Sequence, residues 1–397
     1  MLKLRNIDGA SLKGKRVLVR VDFNVPVKDG VVKDNSRIVA HKKTVDALVA
    51  AGAYVTLVSH FGRPKGKVVP EMSLNLIRRD VENGLGHKVR FVPDCVGPQV
   101  QSAVASQKQD ELLLLENSRF HPEEEKNDPR FSKLMAKPFD LFVMDAFSAS
   151  HRANCSTEGV AHVLPAWAGY LIAHEVESLE RVKSDPVKPY VLVVGGAKVS
   201  DKIGVLEHMI ATADTILIGG GMAFTFIAVE GGKIGKSLFD AEHSDFAKAL
   251  LAKAKAAGVK IVLPVDVIAA PEIADDVKPQ TMAADAIPDD LMGLDIGPET
   301  SKLFAEEIAK AKTVLWNGPM GVFENPLFAQ GSRAVAQAMA EATKRGAFTV
   351  VGGGDTASAV KKFGLKSAMS HVSTGGGASL EYCEGKVLPG IAPLEDR

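Results

Sequence analysis

Cysteine is scarce in this sequence. Cys95, Cys155 and Cys383 are the only three in 397 residues, and they lie far apart without the paired spacing of a metal site. A disulfide framework is therefore excluded, and the thiols are expected to be free in a reducing cytoplasm. There is no excess charge of either sign, since Lys+Arg and Asp+Glu each number 48. The basic footprint of a nucleic-acid-binding protein is missing, so no nucleic-acid partner is expected. No apolar run approaches the roughly 18 residues that a membrane span needs. The stretch Met1-Leu2-Lys3-Leu4-Arg5-Asn6 lacks the apolar core of a signal peptide. Asn154-Cys155-Ser156 matches a glycosylation acceptor, but without a secretory route the match is fortuitous. Fixed-period repeats and low-complexity tracts are also missing.

What is present is ordinary globular composition, 46% hydrophobic and 24% charged, in a chain longer than one core usually covers. Two domains are expected. Short apolar runs alternate with longer helical stretches. In the first half the runs are 16–21, 54–58, 89–92, 112–115 and 141–144; in the second they are 190–194, 215–218, 260–265, 313–316 and 348–351. Runs this apolar suit parallel strands covered by helices on both faces. The expected fold class is α/β, with two doubly wound, Rossmann-like parallel-sheet domains.

Between the two series, Leu171, Ile172, Val176, Leu179 and Val182 fall on one helical stripe, with Glu175, Glu177 and Glu180 mostly off it. The stretch Lys183-Ser184-Asp185-Pro186 then breaks the helix. The expected organisation is a first domain over 1–170, a connecting helix and linker over 171–186, and a second domain over 187–376.

Ligands of doubly wound sheets bind beyond the carboxyl ends of the strands. In the first half those ends are charged: Asp22-Phe23-Asn24, Ser59-His60-Phe61-Gly62-Arg63, Glu116-Asn117-Ser118-Arg119, and Asp145 followed by His151-Arg152, with Arg37 after the first loop. Of 15 arginines, 12 lie at or before Arg181, and none falls between Arg181 and Arg333. Guanidinium forks at neighbouring strand ends suit a small ligand with more than one anionic group. Each of these arginines alone reads more readily as a surface residue; the grouping carries the argument.

In the second half the strand ends are glycine-rich: Gly195-Gly196-Ala197-Lys198, Gly219-Gly220-Gly221, Asn317-Gly318-Pro319 and Gly352-Gly353-Gly354-Asp355-Thr356. Glycine lets backbone N–H groups approach a phosphate, and a following helix N-terminus favours its charge. Lys198 and Lys202 are spaced one helical turn apart, within reach of a phosphate chain. Asp355-Thr356 suits a Mg²⁺ that bridges phosphates. Thr374-Gly375-Gly376-Gly377-Ala378 resembles a glycine loop opening a helix, an anion seat or a hinge. Two patterns fail on inspection. Gly235-Lys236-Ser237 lacks the earlier glycine of a phosphate loop, since Glu230 stands there. Gly352–Ala357 fits a dinucleotide fingerprint but lacks the acidic strand end about 20 residues on.

These stretches, with Trp316-Asn317-Gly318-Pro319-Met320-Gly321-Val322-Phe323-Glu324 and Gly385-Lys386-Val387-Leu388-Pro389-Gly390, closely resemble the phosphoglycerate kinase family, in its order along the chain. The resemblance implies reversible transfer of a phosphoryl group between 1,3-bisphosphoglycerate with ADP and 3-phosphoglycerate with ATP, assisted by Mg²⁺. It implies a cytoplasmic monomer that closes about a hinge, and a C-terminal segment, 377–397, that returns to the first domain. By position it implies a phosphoglycerate site of Asp22, Phe23, Asn24, Arg37, His60, Phe61, Gly62, Arg63, Arg119 and Arg152. It implies a nucleotide site of Lys202, Gly219, Gly293, Glu324, Gly353, Gly354, Asp355 and Thr356, with Glu324 on the ribose and Asp355 near the metal. Arg37, Lys198, Gly375 and Gly376 would act on the transferring group, with Arg20 in support. The chain departs from the family pattern at Ser148-Ala149-Ser150-His151-Arg152-Ala153-Asn154, where the family often has Gly-Thr-Ala-His-Arg-Ala-His. Arg152 is retained, while Asn154 lacks a titrating ring. Phe61 stands where leucine is common.

Such a transfer needs positioning and positive charge around the moving oxygens, not a protein nucleophile. Two other readings fit parts of the sequence: a dinucleotide-dependent oxidoreductase, and a non-catalytic binding protein that closes on an anion. The second leaves the glycine–lysine side unexplained.

Overall fold

A computed structural model describes residues 2–396. The chain divides into two compact units, Leu2–Glu177 with Val387 onward, and Ser178–Lys386.

The first unit is built on a parallel six-stranded sheet. Its strands are β1 (Arg16–Arg20), β2 (Tyr54–Val58), β3 (Lys88–Val92), β4 (Glu111–Leu115), β5 (Leu141–Met144) and β6 (Ala166–Ala168), in the order β3-β4-β2-β1-β5-β6. The central strands β4, β2, β1 and β5 are buried on both faces along most of their length, as their unbroken apolar runs require. Val17, Val19, Val55, Leu57, Leu112, Leu114 and Val143 share one core with Ile38, Val45 and Leu48 of the helices Ser36–Ala40 and Lys42–Ala50. Strands β4, β2, β1 and β5 are contiguous, so the four charged strand ends of the first half stand side by side.

The second unit repeats the plan with β7 (Tyr190–Val194), β8 (Thr215–Ile218), β9 (Lys260–Val262), β10 (Asp266–Ala270), β11 (Gln280–Ala283), β12 (Met292–Ile296), β13 (Thr313–Asn317), β14 (Phe348–Gly352) and β15 (His371–Val372). Its parallel sheet runs β9-β8-β7-β13-β14-β15. Strands β10, β11 and β12 form a separate antiparallel sheet that the sequence reading missed. The glycine-rich ends of β8, β7, β13 and β14 are neighbours.

The connecting helix runs Tyr170–Lys183. Ile172, Val176, Leu179 and Val182 are buried as expected, but so are Glu175 and Glu180, which the stripe placed mostly off the buried face. Glu180 accepts a hydrogen bond from the Tyr382 hydroxyl at 2.7 Å, a partner too distant in sequence to anticipate. The expected returning segment, 377–397, starts later in the structure. The helix Gly377–Cys383 packs on the helix Ile203–Met209, so residues through Lys386 stay with the second unit. From Val387 the chain joins the first unit. Gly390 N–H donates to Ser150 O at 2.8 Å, and Arg5 N–H donates to Leu394 O at 2.8 Å. Among the described residues, no helix is long and apolar enough to cross a membrane.

Candidate active site

In the first unit the chain leaves β1 through Asp22, which is buried. Its Oδ1 accepts the Asn24 N–H at 3.0 Å, and its Oδ2 pairs with Arg37 Nη1 at 2.5 Å. The Ser148 hydroxyl donates to the same Oδ2. Burial alone would raise the Asp22 carboxyl. The charge of Arg37 and the hydrogen bonds from Ser148 and Asn24 outweigh it, and the group is held well below the usual carboxylate range. Asp22 is an anion at neutral pH.

His60, at the end of β2, is also buried. Its Nδ1 lies 3.1 Å from Arg20 Nη2. A guanidinium only donates, so Nδ1 accepts and the ring is neutral. Burial and the adjoining Arg20 charge push its pKa well below the ordinary histidine value. Arg20 is fixed by Ser156 Oγ at 2.8 Å, and Ser156 N–H donates to the buried Glu124 at 3.0 Å.

The β2 loop is tied to its neighbours by amides. Phe61 N–H donates to Asn117 Oδ1 at 3.1 Å, and Gly62 N–H donates to Asn24 Oδ1 at 2.9 Å. Gly62 has φ +64°, a left-handed turn suited to glycine. The buried Phe23 donates its N–H to Ser59 Oγ at 3.0 Å. Arg119 is buried and donates to Gly62 O at 3.1 Å. Burial lowers its pKa, and the like charges of Arg152 and Arg63 lower it further against the pull of Glu125 and Glu124. Arg63 and Arg152 are themselves exposed. Arg20, Arg37, Arg63, Arg119 and Arg152 thus gather around few carboxylates, and an anion bound among them would relieve their mutual repulsion.

In the second unit a cavity of about 410 Å³ opens beyond β7, β8, β12 and β13. Gly196, Gly220 and Gly293 line it, with Met320, Glu324 and Asp355. Gly219 packs on Met320, where an added Cβ would sit 2.5 Å from Sδ. A Cβ on Gly293 would meet Phe224 at 2.1 Å. Side chains at either position would crowd this wall.

Lys202 is half-buried, and its ammonium donates to Asn317 Oδ1. Burial lowers its pKa against the opposing charges of Asp201, Asp355 and Glu384. Lys198 and Lys202 do not share an α-helical face. Lys198 precedes the 3₁₀ turn Val199–Lys202 and is exposed. Gly353, with φ +88°, opens the helix Gly354–Lys362; its N–H donates to Ser379 Oγ at 3.2 Å. Asp355 is exposed in the first turn of that helix, while Thr356 is buried and accepts the Gly318 N–H at 2.7 Å. Glu324 is exposed. Gly375 donates its N–H to Ser373 Oγ at 3.0 Å, and Gly376, φ +51°, precedes the helix Gly377–Cys383.

The described residues contain one group of three potential metal-ligating side chains, Asp94, Cys95 and His121. There His121 Nε2 bonds Asp94 Oδ1 at 2.8 Å, so the pair is satisfied without an ion. Several supporting residues escaped the sequence reading. His41 and Asn317 hold Asp22 and Lys202 directly. The position of His41 four residues after Arg37 was the available signal for the first. Asn317 carries a sequence signal only through its place in a glycine-rich strand end. Asp295, buried on the cavity wall, had no signal at all.

An arginine cluster at the strand ends of one doubly wound unit, and a glycine-walled cavity with lysine and aspartate in another, define a two-domain α/β kinase. A family model described as Phosphoglycerate kinase matches residues 7–386. The phosphoglycerate kinase of Chloroherpeton thalassium is 51% identical over 396 residues, covering 100% of both chains. That of Moorella thermoacetica is 51% identical over 386 residues, 97% of this chain and 98% of the relative. The solved structure of phosphoglycerate kinase from Coxiella burnetii superposes with a TM-score of 0.89 at 41% identity, covering 99% of each chain. The chain belongs to the phosphoglycerate kinase family.

Proposed function

We propose that the chain transfers the terminal phosphoryl group of ATP to the carboxylate of 3-phosphoglycerate, and the reverse, as a glycolytic and gluconeogenic step. The observation that carries this reading is the division of labour between strand ends: Arg20, Arg37 and Arg119 about His60, with Arg63 and Arg152 beside Arg119, in one unit, and a glycine-walled cavity beside Lys202 and Asp355 in the other.

The first unit takes the phosphoglycerate. Arg63, Arg119 and Arg152 bind its phosphate, while Asp22, Asn24 and His60 orient its polar backbone, with Phe23, Phe61 and Gly62 shaping the loop. The neutral His60 ring suits a hydrogen-bonding role and adds no charge. The second unit takes the nucleotide. Gly219 and Gly293 border the base, Glu324 holds the ribose, and Lys202 with Gly353, Gly354 and Thr356 receives the phosphates. Lys202 must then exchange Asn317 for a phosphate oxygen, and its half-buried charge strengthens that contact.

Asp355 supplies an exposed oxygen donor in the first turn of the helix Gly354–Lys362, which fits Mg²⁺, a cation usually held by one or two carboxylates and phosphate oxygens. When bound, Mg²⁺ would neutralise charge across the phosphates.

The attacking carboxylate is already ionised at neutral pH, so no general base is required. Arg37 and Lys198 neutralise the transferring group, with the N–H groups of Gly375 and Gly376 once Ser373 releases the former. Because the ligands occupy separate units, transfer requires hinge closure that excludes water. Small-angle scattering should show compaction with both ligands, and an unchanged profile would contradict closure. The reading further takes the protein as a cytoplasmic monomer.

A coupled assay with 3-phosphoglycerate, ATP and Mg²⁺ tests the activity. Turnover dependent on all three is expected. ATP-independent reduction of NAD would favour the oxidoreductase reading, and binding without turnover would favour a non-catalytic one.

A further inference from the structure

A continuous set of hydrogen bonds leads from Asp22 to the connecting helix, all within Leu2–Glu177. Asp22 N–H donates to His41 Nε2 at 2.9 Å, and His41 Nδ1 lies 2.7 Å from Asp145 Oδ2. Asp145 Oδ1 accepts the Thr44 hydroxyl at 2.9 Å and the Leu171 N–H at 3.0 Å. Thr44 Oγ1 in turn accepts the Tyr170 N–H at 2.9 Å. His41, Thr44 and Asp145 are all essentially inaccessible to solvent.

Atom roles follow from the donors. A backbone N–H only donates, so His41 Nε2 carries no proton. The ring proton sits on Nδ1 and is donated to Asp145. Tyr170 and Leu171 are the first two residues of the connecting helix, whose leading N–H groups have no partner inside the helix. Asp145 and Thr44 supply those partners from another part of the chain. Gly169 lets the helix start this close, since a Cβ there would sit 2.0 Å from Asp145 Oδ1. On the other side, Arg37 grips the carboxylate of Asp22 while His41 grips its backbone.

We propose that His41 is a positioning residue: it fixes the Asp22 loop for the anion and links that loop, through Asp145 and Thr44, to the first turn of the connecting helix. The inference rests on the placement of 3-phosphoglycerate at Asp22 and Arg37 proposed above. Occupancy of the site then registers at Tyr170 and Leu171, which touch no part of it.

Two substitutions separate the two halves of the link. His41→Asn keeps a donor near Asp145 and loses the acceptor for Asp22 N–H. His41→Gln reaches far enough to keep that acceptor and loses the Asp145 contact. His41→Asn should raise the KM for 3-phosphoglycerate about five- to tenfold, the effect of one lost buried hydrogen bond, with the KM for ATP unchanged. His41→Gln should raise it less. A purely structural role would lower thermal stability in both and split neither KM. The wild-type protein provides a readout that does not depend on variant folding. In ¹⁵N-labelled protein, adding 3-phosphoglycerate alone should shift the amides of Tyr170 and Leu171 together with those of Asp22 and Asn24. Shifts at Asp22 and Asn24 without shifts at Tyr170 and Leu171 would overturn the link alone. No shift at any of the four would overturn the site reading and this inference with it.

Discussion

Arg37 Nη1 lies 2.5 Å from Asp22 Oδ2, yet the Arg37 side chain is 43% exposed and that of Asp22 only 6%. The carboxylate is thus part of the framework, while the guanidinium is anchored at one end and open at the other. Its free N–H donors can engage a reacting group without leaving Asp22. Removing one such cation from a phosphoryl-transfer transition state costs roughly 10³–10⁵ in rate by analogy with arginine fingers. Arg37→Ala should therefore lower kcat by at least about 10³ while changing the KM for 3-phosphoglycerate far less. Steady-state kinetics with unchanged kcat would remove Arg37 from the chemistry.

The nucleotide side responds to bulk. Gly293→Ala places a methyl 2.1 Å from the Phe224 ring on the cavity wall. Phe224 lines the same cavity, so its displacement reshapes the space proposed for the base. The expected result is a KM for ATP raised about tenfold or more, equivalent to a loss of about 1.4 kcal/mol, with the KM for 3-phosphoglycerate unaffected. Equal changes in both KM values would point to general destabilisation instead.

Asp295 makes the stability of the second unit depend on pH. It is buried, accepting the Ile296 N–H at 2.9 Å and the Gly331 N–H at 2.8 Å, and burial pushes its pKa up to about 7. Between the ordinary carboxylate value and about 7, the folded protein keeps a proton that the unfolded chain has released. The contribution of this group to stability therefore falls as pH rises through that window. The melting temperature of the wild type relative to Asp295→Asn should decline between about pH 5 and pH 8. A constant difference would mean that Asp295 is ionised throughout, held by its N–H partners.

The three thiols should be inert while the protein is folded. Cys95, Cys155 and Cys383 are buried. Burial pushes Cys155 up to about 11 and Cys383 to about 12, and drives Cys95 well above its usual value with help from Glu124, Asp94 and Glu116. The thiolate is the reactive species. A thiol reagent at pH 8 should label all three rapidly in denaturant and slowly without it. Fast native labelling of any one would show that its surroundings open.

The parallel sheets were legible because their strands are unbroken apolar runs: β2, β5, β7 and β8 match the sequence reading to the residue. Strands β6 and β15 were not, being three and two residues long with no periodicity to read. The antiparallel sheet escaped because Gln280–Ala283 is mostly exposed and carries no hydrophobic pattern. The arginine strand ends and glycine loops stood out as residue types in sequence. The residues that hold them did not. His41, Asn317 and Asp295 each act through a partner at least 19 positions away (Asp22, Lys202 and Gly331), so only the folded chain brings them together. The burial of Glu175 and Glu180 ran against the stripe because tertiary packing, not helical spacing, decides which charges are covered.

The central claim is that two anionic ligands bind separately, one at the arginine cluster and one beside Lys202. Calorimetric titration of 3-phosphoglycerate and of ADP into Arg119→Ala and Lys202→Ala tests it most directly. Arg119→Ala should lose affinity for 3-phosphoglycerate by roughly tenfold or more and keep its affinity for ADP, with Lys202→Ala the reverse. If either variant loses both ligands while remaining folded, or if Arg119→Ala binds 3-phosphoglycerate like the wild type, the two-site account is contradicted.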